Sequence, residues 1–548
     1  MITRWLSSVS TAALALMLVP ALSSPQALAQ LAGQVTSAEE GPMEGVVVSA
    51  KRAGSTITTS VITNAQGRFT IPADRLEPGQ YSIDIRAAGF ELDGPKAATV
   101  TAGAATADLK LRKIKNLAKQ LTNAEWMMSI PGTDDDKLQL LNCVGCHTLE
   151  RIMKSSYDAE QFVPLVSRMN SYAQVSQPIK PQPRVDQSRA ANPERFRKTA
   201  EYLSTINLSN GSKWSYDLKT MPRVKGRAAN VIITEYDLPR ATIEPHDVIV
   251  VDGTVYYTNF GEQFLGKLDP KTGKASEIAM QQFRKGFPQG NLDLGVDKEG
   301  KLLIGMMYQG AIARFDTKTE QFQYWQLPVE RLKDDSQLNM VTNRADVDGK
   351  IWVNDAGPST LFRLDTKTGK FEEMDPLTAL PGGRQGYSIY DVRADSKNNV
   401  FVTDFQKNHV VKVDAQTLKY TVYRNSTEQS RNRRGRIDDQ DRFFYAQYRG
   451  NKIAMFDTKE EKITEYPLPT KFTAPYDVIW DKNGELWTGG MTTDRVVRHN
   501  PKTGETVEYP LQRDTNMRRM FVDNTTARPT FWVGSNHGAS IVKVEPLD

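Results

Sequence analysis

Cysteine is almost missing from this chain: its 548 residues include only Cys143 and Cys146, so no framework of disulfides can staple it. Excess charge of one sign is also missing. Seventy Lys and Arg against 65 Asp and Glu leave a formal +5, too little at this length to suggest a nucleic-acid partner. After the N-terminal region no run is apolar and long enough for a bilayer span, which needs about 20 residues. What is present is the charged and hydrophobic content of a globular protein, 25% and 39%, in a chain long enough for about two to four domains.

The N-terminus has the pattern of an export signal. Arg4 supplies the positive start, Thr11 to Leu22 the apolar stretch and Ala27-Leu28-Ala29 a small-x-small cleavage site. Residues 1–29 are therefore expected to be removed and the mature protein, beginning near Gln30, to reach the periplasm with no stable membrane span. An uncleaved anchor is the alternative, and the short apolar stretch argues against it.

Both cysteines fall in Cys143-Val144-Gly145-Cys146-His147, the spacing of a c-type haem attachment site. One helical turn would bring both sulfurs to one edge of a porphyrin, and the next residue, His147, would offer its imidazole to the iron. A redox dithiol or a local disulfide is the competing reading, although a disulfide closing so small a loop stabilises little. Covalently bound haem c is the expected cofactor, with a thioether as second iron ligand. Met153 follows His147 too closely, and Met221 lies after the closing helix. Met169 is the choice, with an ordinary core methionine as its alternative.

The patterning divides the chain into three segments. In residues 30–112, strand-like runs such as Gly45 to Ala50 and Tyr81 to Phe90 flank a turn at Asn64 to Gly67. This pattern resembles the carboxypeptidase regulatory-like family, which implies a small β-sandwich serving as a spacer or stabilising module. Residues 113–225 place the haem motif between a helix starting at Asp134 and another over Glu194 to Ile206, which resembles an α-helical cytochrome c-like domain. In residues 226–548 a turn of the form Asp-x-Lys-Thr, sometimes degraded, recurs at Asp269, Asp316, Asp365, Asp414 (with Gln416 for Lys), Asp457 (with Glu460 for Thr) and, as Asn, at Asn500. The period of about 43 to 49 residues is that of propeller blades, and seven strands of the type Ile351-Trp352-Val353 count seven blades. The strand Val231 to Pro239 copies a blade's last strand and is expected to pair near Ile541 to Glu545. Together these motifs resemble the virginiamycin B lyase family of seven-bladed propellers. The expected fold is thus multidomain and mainly β: β-sandwich, α-helical cytochrome c-like domain, seven-bladed β-propeller.

Aligning the repeats places His246, Tyr390, Arg434 and Arg518 at one ring position and Asp355 and Asp404 at another. Imidazole can act as general base, paired carboxylates can hold a proton or a divalent cation in the propeller channel, and arginines can hold a carboxylate or phosphate. Tyr476 shares the first ring position, and His537 is a further imidazole. The basic run Arg431 to Arg436 reads as a solvated loop, with substrate capture left open. The lyase resemblance implies catalysis by a histidine, for which His246 is placed, with glutamates and magnesium. The strand ends that would carry glutamate hold Asn259, Asp355, Asp404 and Gln447. The leading expectation is an exported haem protein in electron transfer or oxidation, acting on a small-molecule substrate and passing electrons to a soluble periplasmic carrier. A carbon–oxygen lyase and a non-catalytic binding platform are the alternatives.

Overall fold

The computed structural model describes residues 29–101 and 103–548; the export signal lies, up to its last residue, outside them. Among the described residues no helix is long and apolar enough to cross a membrane.

Strand is the dominant regular structure among the described residues. Six four-stranded antiparallel sheets succeed one another from Pro245–Val251 to Thr506–Pro510, each built in chain order. The recurrent Asp explains the hairpin between third and fourth strands. Asp365 Oδ1 accepts from the Lys367 and Thr368 amides at 3.0 and 2.8 Å, and Asp316, Asp414, Asp457 and Asn500 do the same two and three residues on. These are Asx turns, in which a short side chain substitutes for a backbone acceptor.

The seventh blade takes its outer strand from the start of the segment. Val231–Asp237 pairs antiparallel with Ser540–Pro546, Ile232 opposite Glu545 and Tyr236 opposite Ile541, as the likeness of that strand to a blade's fourth strand predicts. Its other edge is covered too: Ile57–Ile62 of the N-terminal module pairs with it, Ile232 opposite Val61. One eight-stranded sheet therefore runs from Met517–Asp523 through the seventh blade into the N-terminal β-sandwich. The cores interlock at this seam. Ile232 packs in the sandwich core, while Val47 and Ile62 pack in the propeller core. An edge strand left bare would be an aggregation template, and here it is continued by another module. The spacer expected from sequence is structurally part of the seventh blade.

Residues 113–225 correct the expected fold class. Their α-helices are Asn123–Ser129, Asp134–Leu138, Glu150–Met153, Ala159–Asn170 and Arg197–Ile206, 7, 5, 4, 12 and 10 residues long. Besides short 3-10 turns, the rest of the described chain adds one four-residue α-helix, Ala345–Asp348. Among the described residues no large α-helical cytochrome c-like domain is formed and no sheet closes on itself: the blades are open sheets joined by side-chain packing. The physical reason lies in the sequence. Helices begin well, with capping boxes at Thr122–Glu125, Thr133–Asp136 and Asp158–Gln161, but are soon stopped. Pro131 comes just after the first helix, and Pro178, Pro181 and Pro183 keep the stretch after Asn170 in turns and isolated bridges. The haem motif itself lies in the turn that follows a 3-10 segment, Gln139–Asn142, rather than on an α-helix.

Candidate functional site at the propeller mouth

First strands begin and second strands end at one mouth of the propeller, and residues 113–225 lie across it as a cap. The Cys143 to His147 loop is held from three side chains of the last blade. Asn516 Nδ2 donates to the Val144 carbonyl at 2.9 Å, and Arg518 Nη2 to the Gly145 carbonyl at 2.6 Å. His537 Nε2 lies 3.3 Å from the same oxygen. Tyr448 Oη donates to the Leu141 carbonyl at 3.2 Å. Across the mouth, the proline-rich stretch is pinned by Gln182 Nε2 on the Gly261 and Gln289 carbonyls at 3.0 and 3.1 Å. Lys180 pairs with Glu262 at 2.8 Å.

Both thiols are unpaired, and burial pushes them up, Cys143 to about 12. Dithiols that work as nucleophiles are shifted the other way. His147 Nδ1 donates to the Thr148 carbonyl at 2.9 Å, which leaves Nε2 as the free acceptor. A carbonyl partner on the second nitrogen is the usual arrangement for an imidazole that ligates metal.

Beneath the cap, His246 is fully buried. Its Nδ1 faces the Asp247 carboxylate, and its Nε2 lies 3.2 Å from Tyr476 Oη, which in turn accepts from Tyr390 Oη at 2.7 Å. With the proton placed on Nδ1, both phenols can donate in sequence toward Nε2. Burial lowers His246 to about 3 despite its acid neighbour. Burial outweighs the pull of the Asp247 carboxylate, and the Arg518 and Arg434 charges add to the lowering. Burial alone would raise that carboxyl, but Arg434 at 3.1 Å and Arg519 at 3.1 Å hold it well below the usual range. Tyr390, Tyr476, His246 and Asp247 thus form a continuous phenol–imidazole–carboxylate chain suited to moving a proton.

An imidazole at about 3 in the fold and about 6.5 unfolded takes up its proton only on unfolding between those values. Its contribution to stability is complete above pH 6.5 and is lost as pH falls toward 3. The thermal midpoint is therefore expected to fall on acidification from pH 6.5 to 4, and His246→Gln should flatten that slope. Equal slopes in calorimetry of the two proteins would disprove it.

The structure brings His246, Tyr390, Arg434 and Arg518 to this mouth, and Arg518 lies over the Phe260 ring that packs on His246, 4.6 Å in each case. Asp355 and Asp404 share no partner with them. Asp355 Oδ1 accepts from the Gln337 amide at 2.6 Å, and burial raises its carboxyl to about 6. Asp404 accepts from the Gln406 and Lys407 amides at 2.9 and 3.1 Å. Both organise loops of their own blades. Among the described residues no group of three His, Cys, Asp or Glu side chains is placed to hold a metal ion, and the channel contains arginine–aspartate pairs instead. Arg436 meets Asp477 at 3.0 Å and Arg393 meets Asp391 at 2.7 Å. The basic run is accordingly no solvated loop, since it forms the inner strand Asn432–Ile437 with Arg434 fully buried. Met169 is 40% exposed at the end of its helix, outside the cluster that packs on Cys143, whereas Met153 is buried within that cluster.

Residues 30–112 match the carboxypeptidase regulatory-like domain family. Among solved structures the chain is similar to a streptogramin B lyase, at 21% identity and TM-score 0.50 over 59% of this chain and 99% of that one. It is also similar to virginiamycin B lyase from Staphylococcus aureus, at 19% identity and TM-score 0.48 over 57% and 99%. No curated protein sequence matches the chain. The streptogramin B lyase likeness shows the propeller fold; at this identity, chemistry has to be argued from the side chains.

Glu244 escaped the sequence reading. It directly precedes Pro245-His246, its side chain is buried, Oε2 has no partner, and burial raises it to about 8 against the pull of Arg518 and Lys180. Gly261 makes room for it, because a Cβ there would come within 2.3 Å of Oε2. Its nearness to the Pro-His pair was the available signal, but a glutamate in a loop looks solvated until the cap covers it.

Proposed function

We propose that the chain is an exported haem protein that oxidises a small molecule at the propeller mouth. The observation that carries this reading is the position of the Cys143 to His147 loop directly on the mouth, bound through Arg518 and His537. The donor set fits the group: two free, neighbouring thiols for covalent attachment and His147 with Nε2 free. Haem held there would supply one-electron acceptance, with a soluble periplasmic carrier as the onward partner. The chain's own residues do the rest. The cap covers the mouth, and the Tyr390–Tyr476–His246 chain would hold the substrate hydroxyl by hydrogen bonds; its oxidation to a carbonyl would release two electrons, passed singly through the haem to the carrier, and two protons to solvent.

The test is export in a host that attaches haem to c-type proteins, with mass measurement of the denatured chain. Wild type is expected to carry one covalent haem and Cys143→Ser/Cys146→Ser none. A wild-type mass without haem, together with metal-dependent opening of a streptogramin-like ester, would overturn this reading in favour of the lyase.

A further inference from the structure

Arg433 is the one arginine of the inner strand Asn432–Ile437 without an acidic partner. Arg434 reaches Asp247 and Arg436 reaches Asp477, but among the described residues no carboxylate pairs with Arg433. Its guanidinium lies 3.6 Å from the Tyr448 ring centre, 4.5 Å from Tyr476, 5.0 Å from Phe405 and 5.2 Å from Tyr390. Nη1 touches only Met491 Sδ, at 3.6 Å, and Nε is buried without any partner. Aromatic faces favour a cation, but they leave the buried Nε–H without an acceptor, and a desolvated donor without an acceptor is costly. A guanidinium fork matches a carboxylate through two parallel hydrogen bonds.

The position of this group gives the unsatisfied fork a purpose. Tyr448 also donates to Leu141, two residues before Cys143, and Tyr390 and Tyr476 are the first two members of the proton chain. We propose that Arg433 is a carboxylate receptor at the propeller mouth, its fork taking the acid group of a small organic acid. This deepens the oxidation reading above and rests on it only for the fate of the bound acid. A propionate of the attached haem would present the same carboxylate, and the experiment separates the two sources.

The probe is benzoate, titrated calorimetrically into the full-length protein, with neutral benzamide as control. Benzoate is expected to bind the wild type and benzamide to fail. Arg433→Gln should weaken benzoate by roughly 30-fold or more, as removal of one member of a buried charge pair does, and Arg433→Lys should retain part of the affinity. If the carboxylate is the haem's own, benzoate will not bind, and Arg433→Gln will change the pH dependence of the haem potential. Benzoate binding that is indifferent to both substitutions, or no binding with an unchanged potential, would overturn the proposal. Thermal melts show whether each variant is folded, and if Arg433→Gln is not, the Arg433→Lys comparison decides. Absence of covalent haem would defeat the proposed function and leave the benzoate titration fully readable.

Discussion

Arg434→Met is expected to destabilise the propeller by about 3 kcal/mol, at the lower end of the usual cost of removing one member of a buried ion pair. Arg434 is fully buried with Nη1 on both Asp247 oxygens at 3.1 and 3.3 Å. Without it Asp247 keeps Arg519 but is less fully compensated in a low-dielectric interior, and a charge so placed is costly. The expected loss is at the lower end because that second arginine remains. Urea unfolding monitored by the fluorescence of blade residues Trp352, Trp487 and Trp532 reads the effect as an earlier midpoint. Adding Asp247→Asn to Arg434→Met should recover part of it, because the uncompensated charge is then gone. An unchanged midpoint in the single variant would show that the channel pairs contribute nothing net.

The second large effect is expected at the seam between modules. Thr234 lies mid-strand, opposite Lys543 on one side and Thr59 on the other. Thr234→Pro removes a backbone donor and inserts a ring where strands flank both edges, a position proline does not occupy in sheets. A loss of roughly 3 kcal/mol or more is expected from the missing bond and the clash. Because this strand joins propeller and sandwich, the variant should do more than melt earlier. Limited proteolysis should cut between residues 113 and 230 and release an N-terminal fragment that the wild type protects. Protection equal to wild type would mean that the two cores hold together without the shared strand.

Different physical signals made different parts of the molecule legible. The Asp-x-Lys-Thr turns could be read because each turn is local: Asp365 bonds amides two and three residues away. The outer strand of the last blade was legible because Val231 to Pro239 carries the same residue pattern as its equivalents. Arg434 was legible as a ring position but not as a buried ion, because its partner Asp247 lies 187 residues away. The basic run therefore looked solvated. The α-helical domain expected around the haem motif failed for a local reason. Capping signals start helices, but proline spacing and packing on the propeller decide how far they extend.

Sequence by itself determined the repeat, the blade count, the two lone thiols and the histidine beside them, since all depend on residue identity and short spacing. Only the tertiary structure decided that the sandwich continues the seventh blade, that the channel is filled by arginine–aspartate pairs, and that Cys143 to His147 rests on Arg518 and His537. These depend on contacts between residues hundreds of positions apart, where burial decides whether a charged side chain is solvated, paired or, as at Arg433, left open for a ligand.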